Sequence, residues 1–351
     1  MARIRAKLSM DELCNLMNNT VTKQSISKYE HGRMMPSDGV MIALSEALSV
    51  NPSYFIRPFS SQINKLSLSF RKKSAISKKD VNALKIEVQD KVERYLEVEQ
   101  ILGLPHVTPS FTAIGGPISH AEEMTERAKL LRAEWGLHEG PVDNVQSMLE
   151  SHGIKVVLID GPAGFDGVSG IVNGKLYIIA LNRNSTHTER RRFTALHELG
   201  HLLFNSQFDA DLKPNEKEKL CHAFANEMLL PTSSLRHMAV EDSIAWADLV
   251  KLQKKYGMSI DAIVHKLSDV GIMTCEQYRS FNIRKRMSDK LTRDVEQSRF
   301  TEPDTERFED LVHTAWEKNL ITISKAAELL DWSVTGVKRY WRTRYDKDSH
   351  C

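Results

Sequence analysis

The chain has 351 residues, 41% hydrophobic and 27% charged, which is enough for two or three globular domains. Lysine and arginine total 48 against 46 aspartates and glutamates, so overall charge neither favours nor excludes nucleic acid. The four cysteines form no CxxC pair, which argues against a disulfide framework and a thiolate zinc finger. No apolar stretch has the length of a signal peptide core or a membrane helix, so these features predict a cytoplasmic protein.

Residues 1–59 have the pattern of short helices separated by turns. Ser9 and Glu12 are spaced as a capping box at the start of one helix, and Thr22 can cap the next. Gly32 follows at a position where a left-handed residue ends a helix. The pattern predicts a compact helical module.

Within this module, SISKYEHGRMMPS followed by ALSEALSVNPSYF is similar to the XRE/Cro-type helix-turn-helix family. The resemblance implies a DNA-binding domain over residues 1–59, with operator DNA as the partner. Its recognition helix would begin at Lys23 and offer Lys23, Gln24, Ser25 and Lys28 to a major groove. A helical module that binds only protein is the alternative, since the same geometry also serves protein contacts.

Residues 60–115 read as a helical connector and linker. A basic start precedes a long helical pattern from Val81 to Ile101, which predicts a helix that either pairs with its copy in a homodimer or packs on its own chain. The segment GLPHVTPSFTAIGGP has the prolines and glycines of a linker.

Residues 116–235 change from a helical to a strand-like pattern. Two helices should be followed by strands in IKVVLID, VSGIVNG and KLYIIALN, with Asn173-Gly174 as a two-residue hairpin turn. Residues 236–351 are again helical by pattern. The predicted fold class is α+β, mostly helical, with a small sheet in the central domain.

The stretch RRRFTALHELGHLLF, residues 190–204, places His197 and His201 four residues apart on one helix. Two imidazoles at this spacing project from one face and can reach a single ion at about 2.0–2.1 Å. Glu198 would then lie beside the metal, where a carboxylate can take a proton from water. Two histidines that are merely packed on a helix remain the alternative.

The next helical pattern, EKEKLCHAFANEMLLP, contains a candidate for the third metal ligand. Glu227 shares an apolar stripe with Leu220 and Phe224, and a carboxylate facing a core is costly unless it is paired or bound to metal. The pattern places His222 and Glu218 toward the other face, where solvent exposure is expected.

Together, RRRFTALHELGHLLF and LCHAFANEMLLP resemble the ImmA/IrrE-type zinc metallopeptidases. The resemblance implies one Zn²⁺ held by His197, His201 and Glu227, with Glu198 as the general base. It also implies an endopeptidase that cleaves a transcriptional regulator, either itself or a partner protein. The alternative is a non-proteolytic repressor, or an antitoxin whose peptidase-like domain serves for sensing or for binding a cognate toxin.

Overall fold

The computed structural model describes residues 1–56, 63, 65–69, 76–105, 107, 109, 115–185, 187–235 and 244–344. These residues form a mostly helical α+β fold with one four-stranded sheet, which confirms the predicted fold class. The predicted boundary at residue 59, the basic stretch 70–75 and part of the predicted linker lie outside the described residues. None of the described helices combines the length and apolar character needed to cross a membrane.

The N-terminal helices are held by the side-chain caps that the sequence predicts. The Glu12 amide donates to Ser9 Oγ at 3.1 Å and the Ser9 amide donates to the Glu12 carboxylate at 2.6 Å, while Thr22 Oγ1 accepts from the Ser25 amide at 3.2 Å. Leu13 and Ile26 lie in the small core of this region. The helices are α1 (Ala2–Arg5), α2 (Met10–Leu16), α3 (Lys23–Glu30), α4 (Asp38–Leu48) and α5 (Ser53–Ile56).

The central part of the chain contains the sheet and the helices around it. Its elements are β1 (Leu66–Ser69), α6 (Lys78–Ile101), α7 (Ala121–Glu134), α8 (Val145–Ser151), β2 (Lys155–Ile159), β3 (Gly167–Val172), β4 (Leu176–Asn182), α9 (Thr188–Phe204) and α10 (Pro214–Leu229). The C-terminal helices are α11 (Trp246–Tyr256), α12 (Ile260–Asp269), α13 (Cys275–Met287), α14 (Asp289–Glu296), α15 (Arg307–Glu317), α16 (Ile323–Leu330) and α17 (Val334–Arg344).

The strand order of the sheet is β1-β3-β4-β2. β2 and β4 are parallel, and β3 runs antiparallel to both β4 and β1. Asn173 and Gly174 have φ angles of 52° and 74°, so the predicted hairpin turn between β3 and β4 is confirmed. β1 belongs to the predicted connector and was not expected as a strand, because its four residues, LSLS, are too short to give a clear alternating pattern.

α6 packs on its own chain rather than standing apart as a dimer helix. Leu84, Val88, Val92 and Leu96 lie in one apolar core with the face of the sheet, and Val98 lies in another core with the C-terminal helices. α6 therefore covers one side of the sheet, while residues of α9 and β4 share the core on the other side.

A group of ion pairs joins three parts of the chain at α6. Arg5 of α1 lies 3.8 Å from Asp90 and 3.9 Å from Asp331, which follows α16. Arg94 forms a buried ion pair with Asp90, and Lys7 lies 2.5 Å from Asp80. Ion pairs therefore link the start of the chain to α6.

Candidate metal centre

α9 carries the two histidines of the HExxH pattern in its middle. His197 is fully buried, and its Nε2 lies 3.0 Å from Nε2 of His201. The two nitrogens converge because residues four apart lie on one face of a helix. The structure therefore brings together the pair that the sequence predicts.

The carboxylate of Glu218, on α10, lies beside the Nε2 atoms of both histidines. Its Oε2 lies 3.2 Å from Nε2 of His197 and its Oε1 lies 3.1 Å from Nε2 of His201. Ligand atoms bound at about 2.0–2.1 Å in a tetrahedral site lie roughly 3.3 Å apart, so this spacing suits a metal ion. His222 also offers a ring nitrogen, and the ligand atoms of His197, Glu218 and His222 lie within 4.8 Å of one another.

Glu227 does not join the histidines, although it is buried as predicted, with 1% of its surface exposed. One carboxylate oxygen accepts from the Thr232 amide at 3.0 Å, and the other accepts from Thr232 Oγ1 and Lys266 Nζ, both at 2.6 Å. Burial raises the pKa of Glu227, but the positive charge of Lys266 and these hydrogen bonds outweigh burial and hold the pKa below its usual range. An ammonium on α12 therefore compensates the charge of this buried carboxylate.

The sequence pattern predicts a solvated Glu218, but its side chain is only 31% exposed and its carboxylate faces the histidines, because α10 packs on α9. A side chain at Gly200 would place its Cβ 3.2 Å from Phe224 and 3.4 Å from Cys221, so α9 and α10 pack closely at this glycine. Cys221 lies three residues after Glu218, on the same face of α10. Because Cys221 contacts α9, the three-residue spacing between Glu218 and Cys221 could have predicted that Glu218 also faces α9.

Glu198 is held by a residue of the sheet. It is buried, with 1% exposed, and its Oε2 accepts a hydrogen bond from Ser169 Oγ at 2.9 Å. Ser169 lies on β3, so strand and helix meet at the proposed general base. Sequence reasoning missed Ser169, because a serine in a strand has no spacing that relates it to a helix.

A cleft of about 490 Å³ borders the histidines. Phe193 and His222 form its wall on this side, with the Phe193 ring 6.2 Å from that of His197. Met258, Ala262 and Val295 contribute apolar surface elsewhere in its lining. The cleft can therefore receive an apolar side chain next to the candidate metal centre.

α3 presents three of the four predicted DNA contacts to solvent. Lys23, Gln24 and Lys28 are exposed, and Ser25 is half-buried, with its Oγ 3.0 Å from Oγ1 of the capping Thr22. Lys23 Nζ lies 2.7 Å from Oδ2 of Asp11, but such an exposed pair is weak and can exchange for a phosphate.

The structure thus combines a candidate metal centre on two packed helices with a compact helical module at the N-terminus. Residues 149–268 match the family model described as an IrrE N-terminal-like domain, a peptidase family, and residues 1–55 match a helix-turn-helix family model. No curated protein matches the chain. The two matches confirm the resemblance: the chain combines an XRE-type helix-turn-helix domain with an ImmA/IrrE-type peptidase-like domain.

Proposed function

We propose that this protein is a DNA-binding transcriptional regulator whose zinc-dependent endopeptidase domain cleaves a regulator protein, either itself or a partner. The observation that carries the proposal is the convergence of His197, His201 and Glu218 within 3.0–3.2 Å, next to Glu198 on the same helix. Two imidazoles and one carboxylate are the ligands of catalytic zinc sites that keep an open position. Glu218 replaces Glu227 as the proposed third ligand.

The residues around the centre have separate roles in peptide hydrolysis. A zinc ion held by His197, His201 and Glu218 would polarise the peptide carbonyl and lower the pKa of bound water. Glu198 accepts the proton of the attacking water and delivers it to the leaving amine nitrogen. Ser169 holds the carboxylate of Glu198 in orientation through its hydroxyl. The apolar cleft binds a side chain of the substrate near the scissile bond.

Removal of the metal tests this proposal directly. Protein treated with a chelator is expected to lose cleavage of fluorescein-labelled casein, and equimolar Zn²⁺ should restore it, because the donor set matches zinc. Mg²⁺ should not restore cleavage, since it prefers six oxygen ligands. The measurement is the release of fluorescent peptides together with the metal content of each sample. Cleavage that persists in verified metal-free protein would contradict a zinc peptidase.

The DNA-binding part has its own test on α3. The double change Lys23→Gln and Lys28→Gln is expected to weaken binding to the DNA upstream of the protein's own gene. It should also lower the slope of log affinity against log salt by about two, one for each lost phosphate contact. Fluorescence anisotropy over a salt series measures both quantities.

A matched control removes the same charge from another exposed helix face. Arg284→Gln with Arg286→Gln changes two exposed cations of α13. The control should keep the affinity and the salt slope of the unmodified protein. If both double variants bind DNA as the unmodified protein does, α3 is not the recognition helix.

A further inference from the structure

β1 occupies the outer edge of the sheet, against β3. Its four residues pair antiparallel with β3 in a register that places Leu66 opposite Val172 and Ser69 opposite Ser169. The pairing extends by one more residue, since the Asn173 amide donates to the Lys65 carbonyl oxygen at 2.9 Å. The segment between the DNA-binding domain and α6 therefore forms a strand of the peptidase sheet.

This strand lies close to the proposed general base. Ser169, the partner of Ser69, donates its hydroxyl to Glu198 at 2.9 Å. Neighbouring strands lie about 4.8 Å apart, so the backbone of Ser69 is one strand spacing from the residue that orients Glu198. The carboxyl end of β1 therefore lies next to the residue that orients Glu198.

β3 accommodates a closely packed neighbour at this edge. A Cβ at Gly170 would lie 2.5 Å from the Ser67 carbonyl oxygen and 2.6 Å from the Leu68 side chain. β1 itself is short, and only Leu66 and Leu68 turn toward the apolar core, where they are half-buried. The edge is therefore shaped for an extended backbone, while the strand that fills it is held by few side chains.

Extended peptides bind to proteins by adding a strand to a sheet edge, where main-chain hydrogen bonds supply the affinity. The edge of β3 beside Glu198 is the place in this fold where a peptide would be presented to the base. We propose, on the basis of the proposed peptidase function, that β1 is the enzyme's own substrate strand and that the chain is hydrolysed in cis at the carboxyl end of β1. Water supplies the hydroxyl to the carbonyl carbon and the proton to the amine nitrogen, so the step requires no further reactant. The cut separates the helix-turn-helix domain from the peptidase core.

The first experiment follows the full-length protein after zinc is added to metal-free samples. The unmodified protein should yield two fragments, which mass spectrometry should place at a cut within β1, at its carboxyl end. The rate should be first order and independent of protein concentration, because the strand is already in place. Glu198→Gln should give no fragments. A cut elsewhere, or a rate that rises with protein concentration, overturns hydrolysis in cis.

The second experiment loosens β1 with a matched pair of variants. Leu68→Asp places a charge on the half-buried side of the strand, whereas Ser67→Asp places the same charge on its exposed side. Leu68→Asp should slow self-cleavage and also lower the KM for an added peptide that copies residues 63–73, because the edge is vacated. Ser67→Asp leaves both leucines in the core, so its effects on both reactions should be smaller than those of Leu68→Asp. A folding defect would instead slow both reactions, and equal behaviour of the two variants overturns the role of β1.

The outcomes separate this inference from the proposed function. If the protein cleaves labelled casein in a Glu198-dependent way but leaves its own connector intact, the cis substrate is wrong while the peptidase stands. If the zinc-loaded protein cleaves neither casein, the connector nor the peptide copy, the proposed peptidase function fails as well.

Discussion

Glu198→Gln is expected to abolish peptide cleavage while the protein still binds zinc. Glutamine has the same shape but cannot accept the proton of the attacking water, and loss of a general base typically slows a reaction roughly 10²–10⁴-fold. The donors proposed to hold the metal, His197, His201 and Glu218, are unchanged in this variant. Casein cleavage, read with the zinc content of the same sample, measures both parts of the expectation.

Ser169→Ala gives a graded control for this result. It removes the hydroxyl that donates to Glu198 but leaves the carboxylate in place. We expect a smaller loss of activity than in Glu198→Gln, with zinc content unaffected, because the base is present but less well oriented. Cleavage at the unmodified rate by zinc-loaded Glu198→Gln would rule out Glu198 as the base.

Glu218→Ala is expected to reduce zinc affinity strongly, whereas Glu227→Gln should leave it nearly unchanged. Loss of an outer hydrogen-bond partner already costs metal sites roughly 10–100-fold in affinity, and loss of a direct ligand should exceed that. Zinc titration against a competing chelator measures the affinity of each variant. The comparison decides between the ligand inferred from sequence and the ligand inferred from geometry.

Glu227→Gln should instead weaken the fold. It leaves the Lys266 ammonium buried without its counter-charge, and breaking a buried ion pair from one side costs about 3–5 kcal/mol. Because the pKa of Glu227 is held low, the ion pair stabilises the native state at neutral pH and that stability is lost as pH falls through the lowered pKa. Urea unfolding at several pH values measures the change. Loss of zinc in Glu227→Gln, with zinc retained in Glu218→Ala, would restore the original assignment.

The helix α9 could be predicted from sequence because the information that specifies it is local. The spacing of His197, Glu198 and His201 fixes their faces on one helix, and Gly200 indicates where a second helix approaches. The caps Ser9 and Thr22 are also local, since each bonds an amide three residues away. Such features require no knowledge of the tertiary fold.

Sequence reasoning and geometry point to different third ligands. Periodicity identified Glu227 as buried, but the compensating Lys266 lies 39 residues further along the chain on a separate helix. Burial of a carboxylate does not say whether a metal or an ammonium neutralises it. The sequence pattern predicts a solvated Glu218 because it assigns the opposite face of α10 to the protein surface. In the structure, that face contacts α9. The sequence pattern did not predict β1 either, because the strand that it pairs with lies about a hundred residues further along the chain.

The ion pairs between α1 and α6 acquire a distinct role if the connector is hydrolysed. With no covalent link, the helix-turn-helix fragment would stay on the peptidase body through the pairing of β1 with β3 and through ion pairs such as Arg5 with Asp90 and Lys7 with Asp80. Contacts between partly exposed charges weaken as ionic strength rises. Dissociation of the two fragments would therefore be a second, reversible step after the cut. A higher salt concentration would shorten the time for which the DNA-bound fragment stays attached to the peptidase domain.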